Sequence, residues 1–189
     1  MSCSKKILVI LAEGAEEMEV VIPVDVMRKA KISVTLAGLK SDENVKCSRN
    51  IVLKPDTALA SVANDIFDAV LIPGGVNGAK NLADDVTVGL VLKKHSDAGK
   101  IVAAICAGPT AVAKHGIDNG KKVTSHPSVK SVMEEAGYDY SEDRVVVDGN
   151  LITSRGPGTA FELAFAMIEA LINKEAVEAL KPGMLIKDS

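Results

Sequence analysis

Cys106 is the residue whose type and placement most clearly suggest chemistry. The apolar run KIVAAI (100–105) ends at this cysteine, and the small-residue sequence AGPTAVAKH follows it with a helical pattern. Strand, nucleophile, small residue, glycine and helix is the layout of a nucleophile elbow, in which a tight turn lifts the side chain out of the sheet. The sulfur then lies near unpaired amides at a helix start, which favour a thiolate. This predicts a depressed thiol pKa, nucleophilicity and ready oxidation toward sulfinic acid. The opposing reading is a buried structural cysteine, the usual fate of a free thiol.

Acidic residues cluster at Glu16, Glu17 and Glu19, at the start of a helical pattern over 16–30. Its polar positions Asp25, Arg28 and Lys29 define a wet face. Glu17 falls close to that face, while Glu16 and Glu19 point away from it. A carboxyl aimed at the edge of a sheet has a raised pKa and can relay a proton. Acidic residues also simply suit a first helical turn. That bland reading is preferred for Glu17, and periodicity does not choose for the other two.

Of three histidines, His126 follows the strand-like KKVTS, with Pro127 fixing the chain beyond it. It is a candidate general base or orienter for Cys106, against an incidental loop histidine. His95, within KKHSD, reads as a solvated surface residue, and His115 before Gly116 as a cap on helix carbonyls. PGGVNG (73–78) is either a plain turn or a source of amides facing Cys106 as oxyanion donors. It lacks the spacing of a dinucleotide or phosphate loop. Arg155 in SRGPGT binds a small anion or pairs structurally with a carboxylate. No His/Cys/Asp cluster has metal-ligand spacing, so neither metal nor cofactor is expected.

The elements that must hold these residues are short and apolar. KILVILA (6–12), SVTLAG (33–38), DAVLIP (68–73) and KIVAAI (100–105) are unalternating runs, as in parallel strands buried on both faces. Helical patterns over 16–30, about 82–98, 107–115 and 128–136 lie between or after them. Alternating strand and helix predicts a doubly wound α/β fold, with ligands at the carboxyl ends of the strands. VKCSRNIVLKPD (45–56) reads as extended segments around a polar bend. RVVVDGNLITS (144–154) reads as a hairpin turning on Asp148-Gly149 with positive backbone angles. A last long helix is expected to open at Thr159, capped reciprocally by Glu162, before a short helix and tail over 174–189. With no repeat or linker, the 189 residues read as one domain.

Composition narrows the function classes. Hydrophobic residues at 47% and charged residues at 25% exclude a disordered chain. A net charge of −3 without a Lys/Arg cluster argues against nucleic-acid or anionic-membrane binding. Cys3, Cys47 and Cys106 form an odd, scattered set that suits a reducing compartment such as the cytosol. The N-terminal apolar run reads as a first strand rather than a signal peptide, and no stretch is long enough to span a bilayer.

LVILAEGAEEMEVVIPVDVMRKA, PGGVNGAKNL, AAICAGPTAVAKHG, TSHPS and LITSRGPGTAFE together closely resemble the DJ-one family of Parkinsonism-associated protein deglycases, in the ThiJ/PfpI superfamily. The similarity runs over essentially the whole chain and is strongest to animal members. It implies a flavodoxin-like sandwich with a mostly parallel sheet, helices on both faces and a small hairpin, assembled as a homodimer. It further implies a reactive Cys106, an interacting acid at Glu19, a nearby His126, and oxyanion donors at the backbones of Gly75 and Ala107. Arg49 would reach the partner subunit's site, and Cys47 would lie near the dimer interface. The implied activities are cofactor-independent conversion of methylglyoxal to lactate and removal of early glycation adducts from proteins and nucleotides. Peroxide sensing through sulfinate and chaperone activity are implied as well, in the cytoplasm with nuclear and mitochondrial pools.

Two departures stand out: Lys54 replaces a second interface cysteine, and Val76-Asn77 replaces an Asn-Leu order at the pocket rim. A redox-regulated sensor and chaperone without turnover is the main rival reading. A cysteine protease or glutaminase is weaker, because Pro127-Ser128 after His126 leaves no His-x-Glu pairing to orient the imidazole.

Overall fold

The computed structural model describes residues 5–187, so Cys3 lies outside the described residues. The elements run β1 (Lys6–Leu11), α1 (Glu17–Lys29), β2 (Ser33–Gly38), β3 (Val45–Lys46), β4 (Val52–Leu53), β5 (Thr57–Ala58) and α2 (Leu59–Val62). There follow β6 (Ala69–Ile72), α3 (Val76–Asp84), α4 (Val86–Asp97), β7 (Ile101–Ile105), α5 (Pro109–Lys114), β8 (Lys122–Val123), α6 (Lys130–Glu135) and β9 (Asp139–Tyr140). The hairpin β10 (Val145–Asp148) and β11 (Leu151–Ser154) leads into α7 (Ala160–Leu171) and α8 (Lys174–Leu180).

Among the described residues seven strands form one sheet in the order β10-β11-β7-β6-β1-β2-β5. Every pairing is parallel except β10 with β11. The unalternating runs behave as the sequence predicts: all of β6 and β7 is buried, because helices cover both faces. One core layer packs α1 and α7 on Ile7, Val9, Leu71 and Ile105. The opposite layer packs Leu82, Val91, Leu92 and Val112 on Leu8, Ile10, Ile72 and Val102. This is the expected three-layer α/β sandwich. Among the described residues no helix is long and apolar enough to cross a membrane.

The sheet order also locates a cleft. From β1 the chain crosses to β2 on one side and later returns to β6 on the other. The segments leaving β1 and β6 therefore diverge at the carboxyl edge, with the segment leaving β7 beside them.

Several local expectations need correction. The helix expected over 82–98 is two helices, because Asp85 is extended (φ −94°, ψ 120°) and caps α4 by accepting from the amides of Thr87 and Val88. In the hairpin the positive angle falls on Gly149 alone (φ 59°). No side-chain cap forms at Thr159. Its hydroxyl bonds Ser154 and Gly156 instead, and Glu162 forks onto the Arg144 guanidinium.

His95 is the largest correction, since it is fully buried rather than solvated. Its Nδ1 contacts the Val91 carbonyl at 2.7 Å, its Nε2 faces the Phe67 amide at 3.0 Å, and the ring stacks on Phe67. A carbonyl only accepts and an amide only donates, so Nδ1 carries the hydrogen and the ring is neutral. Burial lowers its pKa, helped by Lys94 and Lys100. The unfolded chain, with its ordinary imidazole at 6.5, takes up a proton that the native state resists. This contribution is whole above about 6.5 and is lost as the pH falls below it. His95→Gln is expected to be less stable than wild type at pH 7.5, with the difference narrowing toward pH 5.5. Denaturant melts of both proteins across that range check this, and a constant difference would refute it.

Candidate active site

Three carboxyl-edge segments meet over the cleft. The stretch after β1 turns at Gly14 and enters α1, whose first turn points Glu19 inward. After β6 the pair Gly74-Gly75 opens α3, and after β7 the chain reverses at Cys106. Around them lies a cavity of about 370 Å³, lined by Glu16, Arg49, Gly75, Cys106, Ala107 and His126 among others. Val76 and Asn77 line it too.

Cys106 has φ 64°, the left-handed region that a non-glycine residue rarely enters. Strain of this kind costs about 1–3 kcal/mol and persists only where neighbours over-determine it. Here the Cys106 amide donates to the Ser154 carbonyl at 2.9 Å, and its carbonyl accepts from the His126 amide at 2.8 Å. The half-buried side chain is thereby held off the end of the sheet. The amides of Gly75 and Ala107 both hydrogen-bond to its sulfur.

Glu19 is fully buried beside it. Its Oε2 accepts from the Gly74 amide at 2.8 Å, and its carboxyl hydrogen-bonds the Cys106 thiol. Among the described residues no hydrogen-bond partner reaches its buried Oε1, a costly state for a carboxylate oxygen and a tolerable one for a protonated carboxyl. Gly74 makes the pairing possible: a Cβ there would lie 2.5 Å from Glu19 Oε2 and 2.7 Å from Cys106 Cβ.

Electrostatics corrects the expected depressed thiol. Burial, opposed by the bonds from Cys106 and Gly74, pushes the Glu19 carboxyl up to about 7. Burial, then the Glu19 charge and hydrogen bond, push the Cys106 thiol up to about 12, against the Gly75 and Ala107 amides. These two values belong to one coupled pair. The first proton leaves the pair near neutrality. The second would put two charges into one buried pocket, and it leaves far above. Since α5 starts only at Pro109, the groups that favour a thiolate are the Ala107 amide in the turn before it and the Gly75 amide at the start of α3. The remaining proton stays on the sulfur while Glu19 carries the charge, and a thiolate facing those two amides forms when that proton passes to Glu19.

His126 lines the cavity from an exposed position. Its Nδ1 lies 2.8 Å from Ser128 Oγ, so a hydroxyl and not a carboxylate partners the ring. His115 ends α5 and directs Nε2 to the Leu82 carbonyl at 3.4 Å, away from the cavity. Arg49 is exposed at the rim and bonds the Ser48 carbonyl. Arg155 lies outside the cavity lining and donates to the Glu142 carbonyl at 2.9 Å. Cys47 is buried, and burial together with the Glu17 and Glu16 charges pushes its thiol up to about 11.

Glu17 contradicts its placement on a wet face: it is buried. The loop between β3 and β4 folds over the first turn of α1, where Glu17 accepts from Ser48 Oγ at 2.8 Å and from the Arg49 amide. Burial alone would raise its pKa, but these bonds and its own backbone amide hold it below the usual value. Glu17 thus pins the Ser48–Arg49 rim of the cavity. Helical periodicity has no signal for it, because the cover arrives from a distant loop.

Comparison with known proteins places this geometry. Residues 5–170 match the DJ-1/PfpI family. The chain is 51% identical over 184 residues to Protein dj-1beta of Drosophila melanogaster, covering 97% of this chain and 98% of that one. It is 43% identical over 189 residues to a Caenorhabditis elegans protein named glutathione-independent glyoxalase DJR-1.2, covering 99% and 100% of the two chains. The crystal structure of Drosophila melanogaster DJ-1beta superposes with a TM-score of 0.96 at 50% identity, over 98% of this chain and all of that one. A matching family over most of the length, relatives at this identity and a shared fold lead to one conclusion: the chain belongs to the DJ-1/PfpI family.

Proposed function

We propose that this protein is a cofactor-independent glyoxalase whose nucleophile is Cys106, and that the same chemistry removes early glycation adducts. The observation that carries the reading is the buried Glu19 carboxyl, held by the Gly74 amide beside the strained Cys106, with the Gly75 and Ala107 amides at the sulfur. The Cys106 thiolate attacks the aldehyde carbon of methylglyoxal, and the new oxyanion takes a proton to give a hemithioacetal. The Gly75 and Ala107 amides, already facing the sulfur, lie next to where that oxygen forms. Glu19 then removes the proton on the former aldehyde carbon and returns one to the neighbouring carbon as its carbonyl becomes a hydroxyl. The product is a lactoyl thioester, an internal redox exchange that needs no external electron carrier. Water cleaves the thioester, releasing lactate and the thiol, with His126 assisting proton movement. A glycated Cys, Lys or Arg side chain enters as its hemithioacetal or aminocarbinol, and its C–S or C–N bond breaks as the Cys106 sulfur bonds the same carbon, the freed thiol or nitrogen leaving with a proton.

Arg49, exposed at the rim, is assigned to anionic substrate groups or to a partner subunit's site. A homodimer is part of the proposal. Met18 and Val21 on α1 and Ile51 and Val52 beside the β3–β4 bend are all exposed, a cluster suited to a self-complementary interface.

The test is lactate formation from methylglyoxal by purified protein in amine-free buffer, followed by chiral analysis of the product. Enzyme-dependent lactate of one hand is expected. Racemic lactate at the rate of the blank would remove the glyoxalase reading.

The same site favours a second reading, peroxide sensing. Each of two peroxide molecules transfers one oxygen to the sulfur and leaves as water, giving sulfinate, and a protonated Glu19 donates a hydrogen bond to it. Among the described cysteines, Cys47 is shielded by burial and two carboxylates. After mild peroxide, peptide mass spectrometry is expected to find two added oxygens on Cys106 before Cys47 gains any. Equal modification of both would count against it.

A further inference from the structure

The strained cysteine is fixed through a contact that lies outside the cavity. Its amide hangs on the carbonyl of Ser154, the last residue of β11, so the register of that carbonyl sets where the sulfur stands. Ser154 is fully buried, and its Oγ lies 2.6 Å from Thr159 Oγ1. Thr159, also buried, receives the Gly156 amide at 3.1 Å and donates to the Gly156 carbonyl at 2.9 Å. A hydroxyl has one hydrogen and two lone pairs. Thr159 Oγ1 thus meets three partners, the amide and carbonyl of Gly156 and the Ser154 hydroxyl, and either hydroxyl can donate in the last contact because Ser154 Oγ also reaches the Arg144 carbonyl at 3.1 Å. The turn that it closes carries Pro157, a cavity-lining residue, and Gly156 passes behind the His126 ring, where a Cβ would come within 3.8 Å of Cδ2.

We infer that Thr159 is a positioning residue for the reactive site: its hydroxyl locks Ser154 and the 156–157 turn in one register, holding the Cys106 amide and backing His126. It touches no reacting atom. The inference rests on the assignment of Cys106 as the nucleophile, but not on any particular substrate. Its readout is accordingly the alkylation of Cys106 by iodoacetamide, which proceeds whether or not methylglyoxal is turned over.

Three variants test it: Thr159→Val, Thr159→Ser and Ser154→Ala. Valine keeps the shape and removes all three hydrogen bonds, whereas serine keeps them. Removing a buried hydroxyl from a satisfied network is worth about one power of ten in an equilibrium or rate. Thr159→Val is expected to slow Cys106 alkylation about tenfold and to shift the midpoint of its pH profile. Thr159→Ser is expected to stay within about twofold of wild type, by the same accounting. Ser154→Ala, which spares the backbone carbonyl, should show a smaller loss in the same direction and remains informative if the valine protein does not fold. A role confined to stability would lower the melting temperature and leave both the rate and the pH midpoint of the folded protein unchanged. That outcome, in either Thr159→Val or Ser154→Ala, overturns the inference. If wild-type Cys106 alkylates no faster than Cys47, the nucleophile assignment itself fails, which is a separate result.

Discussion

Cys106→Ser is expected to abolish lactate formation, and Glu19→Gln to reduce it by about 10²–10⁴-fold, with both proteins folded. A serine hydroxyl in this pocket meets the same burial as the thiol and is far harder to ionise, so no nucleophile forms. In Glu19→Gln, the side-chain amide would still accept from the Gly74 amide and fill the same space. It would not take a proton from one carbon and return one to the next, so a hemithioacetal would form and stall. The two variants therefore separate attack from proton transfer: iodoacetamide should still label Cys106 in Glu19→Gln. Full activity in that variant would exclude the relay. Stability should move the other way. The folded carboxyl titrates near 7 and the unfolded one near 4.5, so the native state holds the extra proton between those values. The stabilisation from a protonated Glu19 is complete below about 4.5 and is lost as the pH rises through 7. Glu19→Gln, permanently neutral, should melt higher than wild type by a gap that widens from pH 5 to pH 8.

Gly74→Ala is expected to disable the site without touching a reacting group. The added methyl meets Glu19 Oε2 at 2.5 Å, Cys106 Cβ at 2.7 Å and the Ile105 carbonyl at 2.9 Å. Two of those atoms belong to backbone or to a residue fixed by backbone, so the flexible partner, Glu19, must give way. Overpacking of this kind costs about 1–3 kcal/mol. The functional loss should be larger, because displacing Glu19 breaks its bonds to both the Gly74 amide and the thiol. Lactate formation should fall at least about a hundredfold, and the pH dependence of Cys106 alkylation should revert toward that of an isolated buried thiol. Wild-type kinetics in Gly74→Ala would mean that close packing of the pair is unnecessary.

Much of this site was legible in the sequence. Unalternating apolar runs gave parallel strands, which fixed the carboxyl edge where Cys106, Glu19 and PGGVNG converge. The whole-chain resemblance then chose Glu19 over Glu16, which periodicity left open. What stayed hidden depends on contacts between distant segments. Glu17 is buried by a loop some thirty residues away, and His95 by Phe67, whose amide supplies the hydrogen bond that makes an imidazole tolerable inside. The direction of the thiol's shift was hidden for the same reason. A helix start near a cysteine suggests a lowered pKa, but burial of the sulfur, and after it the carboxyl of Glu19, outweigh it. Thr159 did have a legible hydroxyl, yet the local capping rule claimed it for Glu162, while the folded chain uses it to tie β11 to the following turn.

The backward-bent conformation of Cys106 exists only because Ser154 and His126, at 48 and 20 residues' remove, grip the peptide groups on either side of it. Released from that grip, the residue is an ordinary cysteine with an ordinary ionisation. A thiol reagent is thus a conformational gauge for the whole β7–β11 half of the molecule. During denaturant titration, the labelling behaviour particular to Cys106 should vanish cooperatively with the sheet. During refolding it should return only once strands remote in sequence have found one another.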